Sequence, residues 1–270
     1  MTSEPISIDS SVGSARSGWW RIARRILIGA AIVALYVQAW IKTEISVSSL
    51  VTGYHGMLDI IRRSVPPSTD VLGDSLRQSV VTLDTALWGA TFGVFLALLL
   101  TPFAARNIAP NRVVYECARV IIGIARAIPD LIFALIFVTA VGLGPFPGVL
   151  ALTVGTVGTL GKLFAETIED MDMGPVDALR VSGASKTQVF LHAVIPGVLP
   201  TFVSLVLYRL DHNVRSGLVL GFVGAGGIGF MIFNSMQLFQ YQQVFTELLV
   251  VLAMVLIVER VSTALRTRIV

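Results

Sequence analysis

The sequence predicts an all-α integral membrane protein with six transmembrane helices, and three observations lead there. Of its 270 residues, 54% are hydrophobic and only 14% charged, well below the charged fraction of a soluble domain. Long apolar runs recur at the length a bilayer demands, roughly 20 residues per span. Basic residues gather in alternate connections, as they do when one face of a membrane protein is cytoplasmic. At this length, about six spans and one modest connecting domain fill the chain. A separate catalytic domain has no room.

Residues 1–25 form a polar, Ser-rich tail ending in Arg21, Arg24 and Arg25, ahead of the apolar run Ile26 to Ile41. That run is longer than a signal-peptide core and no small-residue cleavage pattern follows it, so it reads as an uncleaved first span. Trp19, Trp20 and Trp40 suit its interfaces. The second span runs from about Val80 to Phe103. The third, from about Val120 to Leu143, is broken early by Arg126, Pro129 and Asp130, unlike a plain lipid-facing helix. Gly144, Pro145, Pro147 and Gly148 mark a tight hairpin into the fourth span, Phe146 to Ala165. A fifth begins near Ile195 and continues past the polar stretch Arg209 to Ser216 into a glycine-rich tail. The last runs from Val244 to Val258. Gly217 to Phe233 is apolar enough for a seventh span, but a seventh would send Arg266 and Arg268 to the opposite face. It reads instead as the end of the fifth span and a re-entrant or outer segment, whose backbone needs cover from protein or a water-filled path.

Six spans put both termini on one face. Arg16, Arg21, Arg24 and Arg25, then Arg106 and Arg112, then Lys162, Arg180 and Lys186, then Arg260, Arg266 and Arg268 fall there, which makes it cytoplasmic. The outer connection from Lys42 to Arg77 carries four basic residues of its own and weakens the contrast. The formal charge of +3 thus reflects membrane orientation rather than a nucleic-acid patch. Cys117 is the only cysteine, so an internal disulfide is excluded, and no histidine cluster offers a metal site. His55, His192 and His212 are isolated along the chain.

The longest cytoplasmic connection, Glu166 to Val194, contains an ordered spacing. Asp177, Ala178 and Leu179 are followed by three residues, then Gly183, and after nine intervening residues that begin with Ala184 come Ala193, Val194, Ile195 and Pro196. This is similar to the coupling-loop signature of bacterial ABC importer permeases, Glu-Ala-Ala, three residues, Gly, nine residues, Ile, any, Leu, Pro. Asp177 replaces Glu, Leu179 replaces Ala, Ala193 replaces Ile and Ile195 replaces Leu, while glycine, proline and spacing are intact. A short helix, a glycine break and a second helix make a knob suited to a groove on a partner. The runs Arg126 to Asp130, Tyr208 to Leu220 and Val223 to Gly229 further resemble the phosphonate importer permease, with likeness from roughly Leu76 onward. The methionine importer permease shares a similar glycine run.

The resemblance implies a type I ABC importer permease fold, its core at about residues 76–265 within a membrane domain of residues 26–270. It implies a homodimer with the path at the two-fold interface. Two ATPase subunits would bind ATP and Mg, and an extracytoplasmic binding protein would deliver phosphonate or phosphate. The chain itself would be no enzyme, hold no cofactor and sit in the bacterial inner membrane.

Gly224, Gly226 and Gly229 satisfy a dinucleotide fingerprint formally, but neither the strand nor the soluble crossover helix it requires is expected here. Close backbone packing is the better use of these glycines and of Gly227. The surroundings of Gly161 and Lys162 echo a phosphate-binding loop, yet Thr156 and Leu163 stand where glycine and Ser or Thr are needed. ATP must therefore be bound elsewhere. Arg119, Arg126, Arg209, Asp211 and Arg215 are ionisable groups near membrane depth, where such residues face a bundle interior or an aqueous path. Asp211 and Arg215 stand i to i+4 and can neutralise one another. Arg126 and Arg209 lack a local partner, and guanidinium groups match phosphonate oxygens in bidentate fashion. Snorkelling or interhelical pairing are the other uses open to them. Glu166 and Glu169 share a helical face without a nucleophile or metal constellation and read as solvated loop carboxylates. An intramembrane enzyme would need clustered acids, histidines or a serine nucleophile. A secondary transporter would be expected to show paired broken helices, and would leave the spaced loop unexplained.

Overall fold

The computed structural model describes residues 12–44 and 46–269. Residues 1–11 of the expected tail, and the side chains of Arg16, Trp19, Arg21 and Lys186, lie outside the described residues. The chain divides into a unit of residues 1–59 and a unit of residues 60–270. In the first, α1 (Val12–Lys42) begins well inside the segment read as a polar tail. Once the apolar span has nucleated a helix, adding residues to its end costs little. The connection after it is not wholly a loop but contains an 18-residue helix, α2 (Val47–Ser64). Val51, Tyr54, Leu58 and Ile61 give it the one-sided spacing of an amphipathic helix.

In the second unit, α6 (Pro145–Glu169) is the central element, with 67% of its apolar window buried. Lipid gives helices no hydrophobic reason to associate, so small residues that permit close van der Waals contact decide where they meet. On one side α3 (Leu72–Ala104) presents Gly89 and Gly93 to Leu152 and Thr156 of α6, and a Cβ at Gly89 would lie 2.6 Å from the Leu152 Cβ. On another side Gly155, Gly158 and Gly161 receive α4 (Arg112–Ala127) and α5 (Asp130–Val141). Phe164 stacks on Phe202 with centroids 4.0 Å apart, joining α6 to α9 (Ile195–Gly221). The last span, α11 (Tyr241–Ile269), adds Met254 to a cluster with Ala86, Leu152 and Val214.

Helices α4 and α5 meet at an 88° bend. Pro129 excludes the preceding residue from the helical region, and Ile128 is extended at φ −92°, ψ 125°. The expected third span is therefore an elbow. Among the described residues, five helices are long and apolar enough to cross a membrane, and the bent pair makes six. Between α9 and α11 lies α10 (Gly227–Gln237), 11 residues long. At 1.5 Å per residue it reaches about 16 Å, half of a roughly 30 Å hydrocarbon core. It is no seventh span.

Candidate functional site

Of the path candidates Arg126, Arg209, Asp211 and Arg215, the elbow brings Arg126 and Arg209 together. Arg126 closes the last turn of α4 and Asp130 opens the first turn of α5, each placed where its charge complements the helix dipole. A cavity of about 380 Å³ at the bend is lined by Arg126, Pro129, Asp130, Tyr208, Arg209 and His212, among others. Arg209, buried to 5% exposure on α9, is not without a partner. Its Nη2 lies 3.3 Å from Asp130 Oδ2, and its Nε donates to Thr156 Oγ1 at 3.2 Å. Asn213 Nδ2 donates to the same hydroxyl at 3.1 Å. The pairing spans 79 residues of sequence, which is why local reading missed it. Arg126 is exposed and makes no ion pair among the described residues.

Asp211 and Arg215 form the i to i+4 ion pair their spacing allows, and neither lines the elbow cavity. Gly155 makes the cluster possible, because a Cβ there would overlap the Asp130 carboxylate.

The glycine-rich segment is a helix–turn–helix junction. Gly224, Gly226 and Gly227 adopt φ of +94°, +72° and +70°, values that residues with a Cβ disfavour. A Cβ on Gly221 would stand 2.6 Å from Phe230 N and 2.7 Å from the Gly229 Cα, so α9 and α10 touch backbone to backbone. Gly144 N donates to Gly224 O at 2.9 Å, and Ile228 N donates to Thr82 Oγ1 of α3 at 3.0 Å. A helix, not a strand, precedes these glycines, so the fingerprint's context is absent from this segment. Thr82→Val is expected to strand the buried Ile228 N–H at a cost of about 1–3 kcal/mol, read as a lower thermal unfolding midpoint. An unchanged midpoint would show that Ile228 N–H finds another acceptor.

Asp177, Ala178 and Leu179 lie on α7 (Gly174–Val181). Gly183, at φ +81°, ends it: Gly183 N donates to Arg180 O and Ala184 N to Leu179 O, each at 3.1 Å. This paired closure of a helix C-terminus needs a left-handed residue, hence glycine. Helix α8 (Lys186–Val189) starts with a reciprocal cap, Ser185 N to Gln188 Oε1 at 2.8 Å and Gln188 N to Ser185 Oγ at 3.3 Å, the arrangement that satisfies two orphan donors at once. A π turn, Phe190–Val194, then leads into α9. Pro196 has no N–H to give, and its ring would crowd the His192 carbonyl in a regular helix. Widening the preceding turn relieves that. Val176, Val189, Ala193 and Val194 form the knob's own core, with Met171, Leu179 and Ala184 packed on it. Asp177 pairs with Arg180 at 3.5 Å on the surface, and Val181 is 90% exposed.

Glu166 and Glu169 are not the solvated loop carboxylates that the sequence suggests. Both sit in the last turn of α6. Glu169 Oε1 accepts from Arg119 Nη2 at 2.8 Å and from Arg106 N at 2.6 Å. Arg119 Nε also donates to Ala104 O at 2.8 Å, and Glu166 lies 3.4 Å from Lys162 and 3.8 Å from Arg119. This cluster ties the C-terminal ends of α3 and α6 to the middle of α4. Nearby charges answer each other once the chain folds, and only the tertiary structure brings these three helices within reach.

Residues 89–270 match the family of binding-protein-dependent transport system inner membrane components. The chain is 41% identical over 249 residues to a phosphite transport system permease protein of Stutzerimonas stutzeri, covering 92% of this chain and 90% of that one. It is 38% identical over 233 residues to a phosphate-import permease protein of Mycolicibacterium smegmatis, covering 86% of this chain and 44% of that one. The permease fold of a methionine ABC transporter in an inward-facing form superposes with a TM-score of 0.65 at 20% identity, covering 75% of this chain and 99% of that one. The family match spans both the Arg126–Asp130 elbow and the Asp177–Pro196 knob. The chain belongs to the binding-protein-dependent transport system inner membrane component family, and is a non-enzymatic permease subunit of an ABC importer.

Proposed function

We propose that this permease conducts an oxyanion of phosphorus, of the phosphonate, phosphate or phosphite kind, past Arg126 and Arg209 at the elbow. The observation that carries this reading is the cavity of about 380 Å³ that both Arg126 and Arg209 line. The names of the relatives at 37–41% identity, phosphite and phosphate permeases, support it. Guanidinium groups match such oxygens in pairs, and a path must hold them weakly enough to release them. Arg215 and Asp211, which neutralise each other outside the cavity, are removed from the anion-contacting set and kept as a structural pair of α9.

In this reading the permease works as two copies with the path between them, both termini cytoplasmic and residues 76–265 as the core. The knob between residues 166 and 194 docks on an ATPase subunit, which binds ATP and Mg. An extracytoplasmic binding protein delivers the substrate. Closure of the ATPase pair pulls the knobs together and opens the path outward, and hydrolysis resets it, because each state is favoured by a different set of contacts. The bare apolar surface of Val181 supports docking at that end of the knob. Val181→Asp would place an unpaired charge in the interface at a cost of at least about 2 kcal/mol, more than tenfold in affinity. The expected result is loss of ATPase co-purification with the permease still folded, and undiminished co-purification would remove Val181 from the interface. Uptake of phosphite, phosphate and sulfate by the reconstituted importer tests the substrate class.

A further inference from the structure

On the cavity wall one of the protein's own carboxylates, Asp130, sits against the guanidinium of Arg209. Arg209 is aimed by neutral groups: Thr156 Oγ1 holds its Nε at 3.2 Å, and Asn213 holds that hydroxyl. The Nη2 end of its guanidinium is thereby turned toward the elbow, where Asp130 Oδ2 sits 3.3 Å away. His212 Nε2 faces the same oxygen at 4.0 Å. The other carboxylate oxygen rests against Gly155, where any larger residue would displace it. Arg126 lines the same cavity without an ion pair among the described residues. A buried pair made only for stability would have no need of a cavity at its side, nor of a second, unpaired guanidinium on that cavity's wall.

We propose that Asp130 is an internal stand-in for the transported oxyanion, neutralising Arg209 in the resting path and exchanging with substrate when it arrives. A carboxylate and a phosphorus oxyanion present the same pair of oxygens to a guanidinium. An arginine at membrane depth is costly without a counter-charge, so an empty path needs one. A tethered carboxylate supplies it, and by competing with substrate it keeps the substrate's hold weak. Incoming anion is received first by Arg126, which makes no ion pair among the described residues, and then by Arg209 as Asp130 yields. This rests on the oxyanion reading above.

The test is thermal unfolding of the assembled importer, permease with ATPase, in lipid nanodiscs. Wild type is expected to be indifferent to millimolar phosphite. Asp130→Asn is expected to unfold at lower temperature and to recover by about 5 °C in millimolar phosphite, but not in chloride of equal ionic strength. The double variant Asp130→Asn/Arg209→Gln removes both charges and is expected to assemble, ignore phosphite and transport none. Failure of Asp130→Asn to recover, or to assemble even when purified in phosphite, overturns the proposal. So does wild-type phosphite uptake by the double variant, which would make the pair structural only. If wild type takes up no phosphorus oxyanion, the substrate reading falls instead, which separates the two failures.

Discussion

Gly158→Leu is expected to abolish assembly of the transporter, the largest effect of any single substitution at the elbow. A Cβ at position 158 would lie 2.6 Å from Arg126 N, 2.7 Å from the Ala125 carbonyl carbon and 3.0 Å from the Arg126 Cα. All three are backbone atoms of α4 and cannot rotate aside, so α4 would have to withdraw from α6 and take Arg126 with it. Overpacking of this kind costs about 3 kcal/mol or more. The yield of monodisperse complex on size exclusion measures it. Gly161→Ala is the control: the nearest atoms to its Cβ would be Ile122 Cδ1 at 3.1 Å and Cγ1 at 3.3 Å, side-chain atoms that can shift by a few tenths of an ångström. Equal yields for the two variants would contradict the backbone argument.

Arg209→Ala and Arg126→Ala are expected to separate, although from sequence alone the two arginines look equivalent. Removing Arg209 leaves the Asp130 carboxylate, whose side chain is 19% exposed, without its cation. Breaking a buried pair from one side costs about 3–5 kcal/mol, so Arg209→Ala loses both stability and uptake. Arg126 has no ion pair to break among the described residues, so Arg126→Ala is expected to leave the unfolding midpoint within about 0.5 kcal/mol of wild type while lowering uptake. Parallel midpoint and uptake measurements on the two variants decide this. Unchanged uptake in Arg126→Ala would return that residue to a structural role at the end of α4.

Much of the fold was legible because a bilayer imposes its own period on a sequence. Spans two, four and six stand out as runs of about 20 apolar residues, and their helices agree with the runs apart from added turns at the ends. The same signal says nothing about α2, whose apolar residues recur at three- and four-residue intervals on one face rather than run together. The break in the third span was visible in Pro129, since a proline restricts its neighbour wherever it stands. The 88° angle was not visible, because it depends on what α4 and α5 pack against.

The candidate site divides along the same line. Gly183, Pro196 and the interval between them are readable through the spacing they share with the coupling-loop signature, while the left-handed cap and the widened turn appear in the structure. The pairing of Arg209 with Asp130, and of Arg119 with Glu169, joins residues 79 and 50 positions apart, and no local pattern announces either. By itself the sequence determined what lipid and backbone geometry dictate residue by residue: the spans, the proline break, the glycine turns and the knob's spacing. The tertiary structure alone decided which charges are spent on one another, because in a low-dielectric interior a charge is defined by its neighbours, and those arrive only when the Gly155, Gly158 and Gly161 face of α6 lets the elbow close against it.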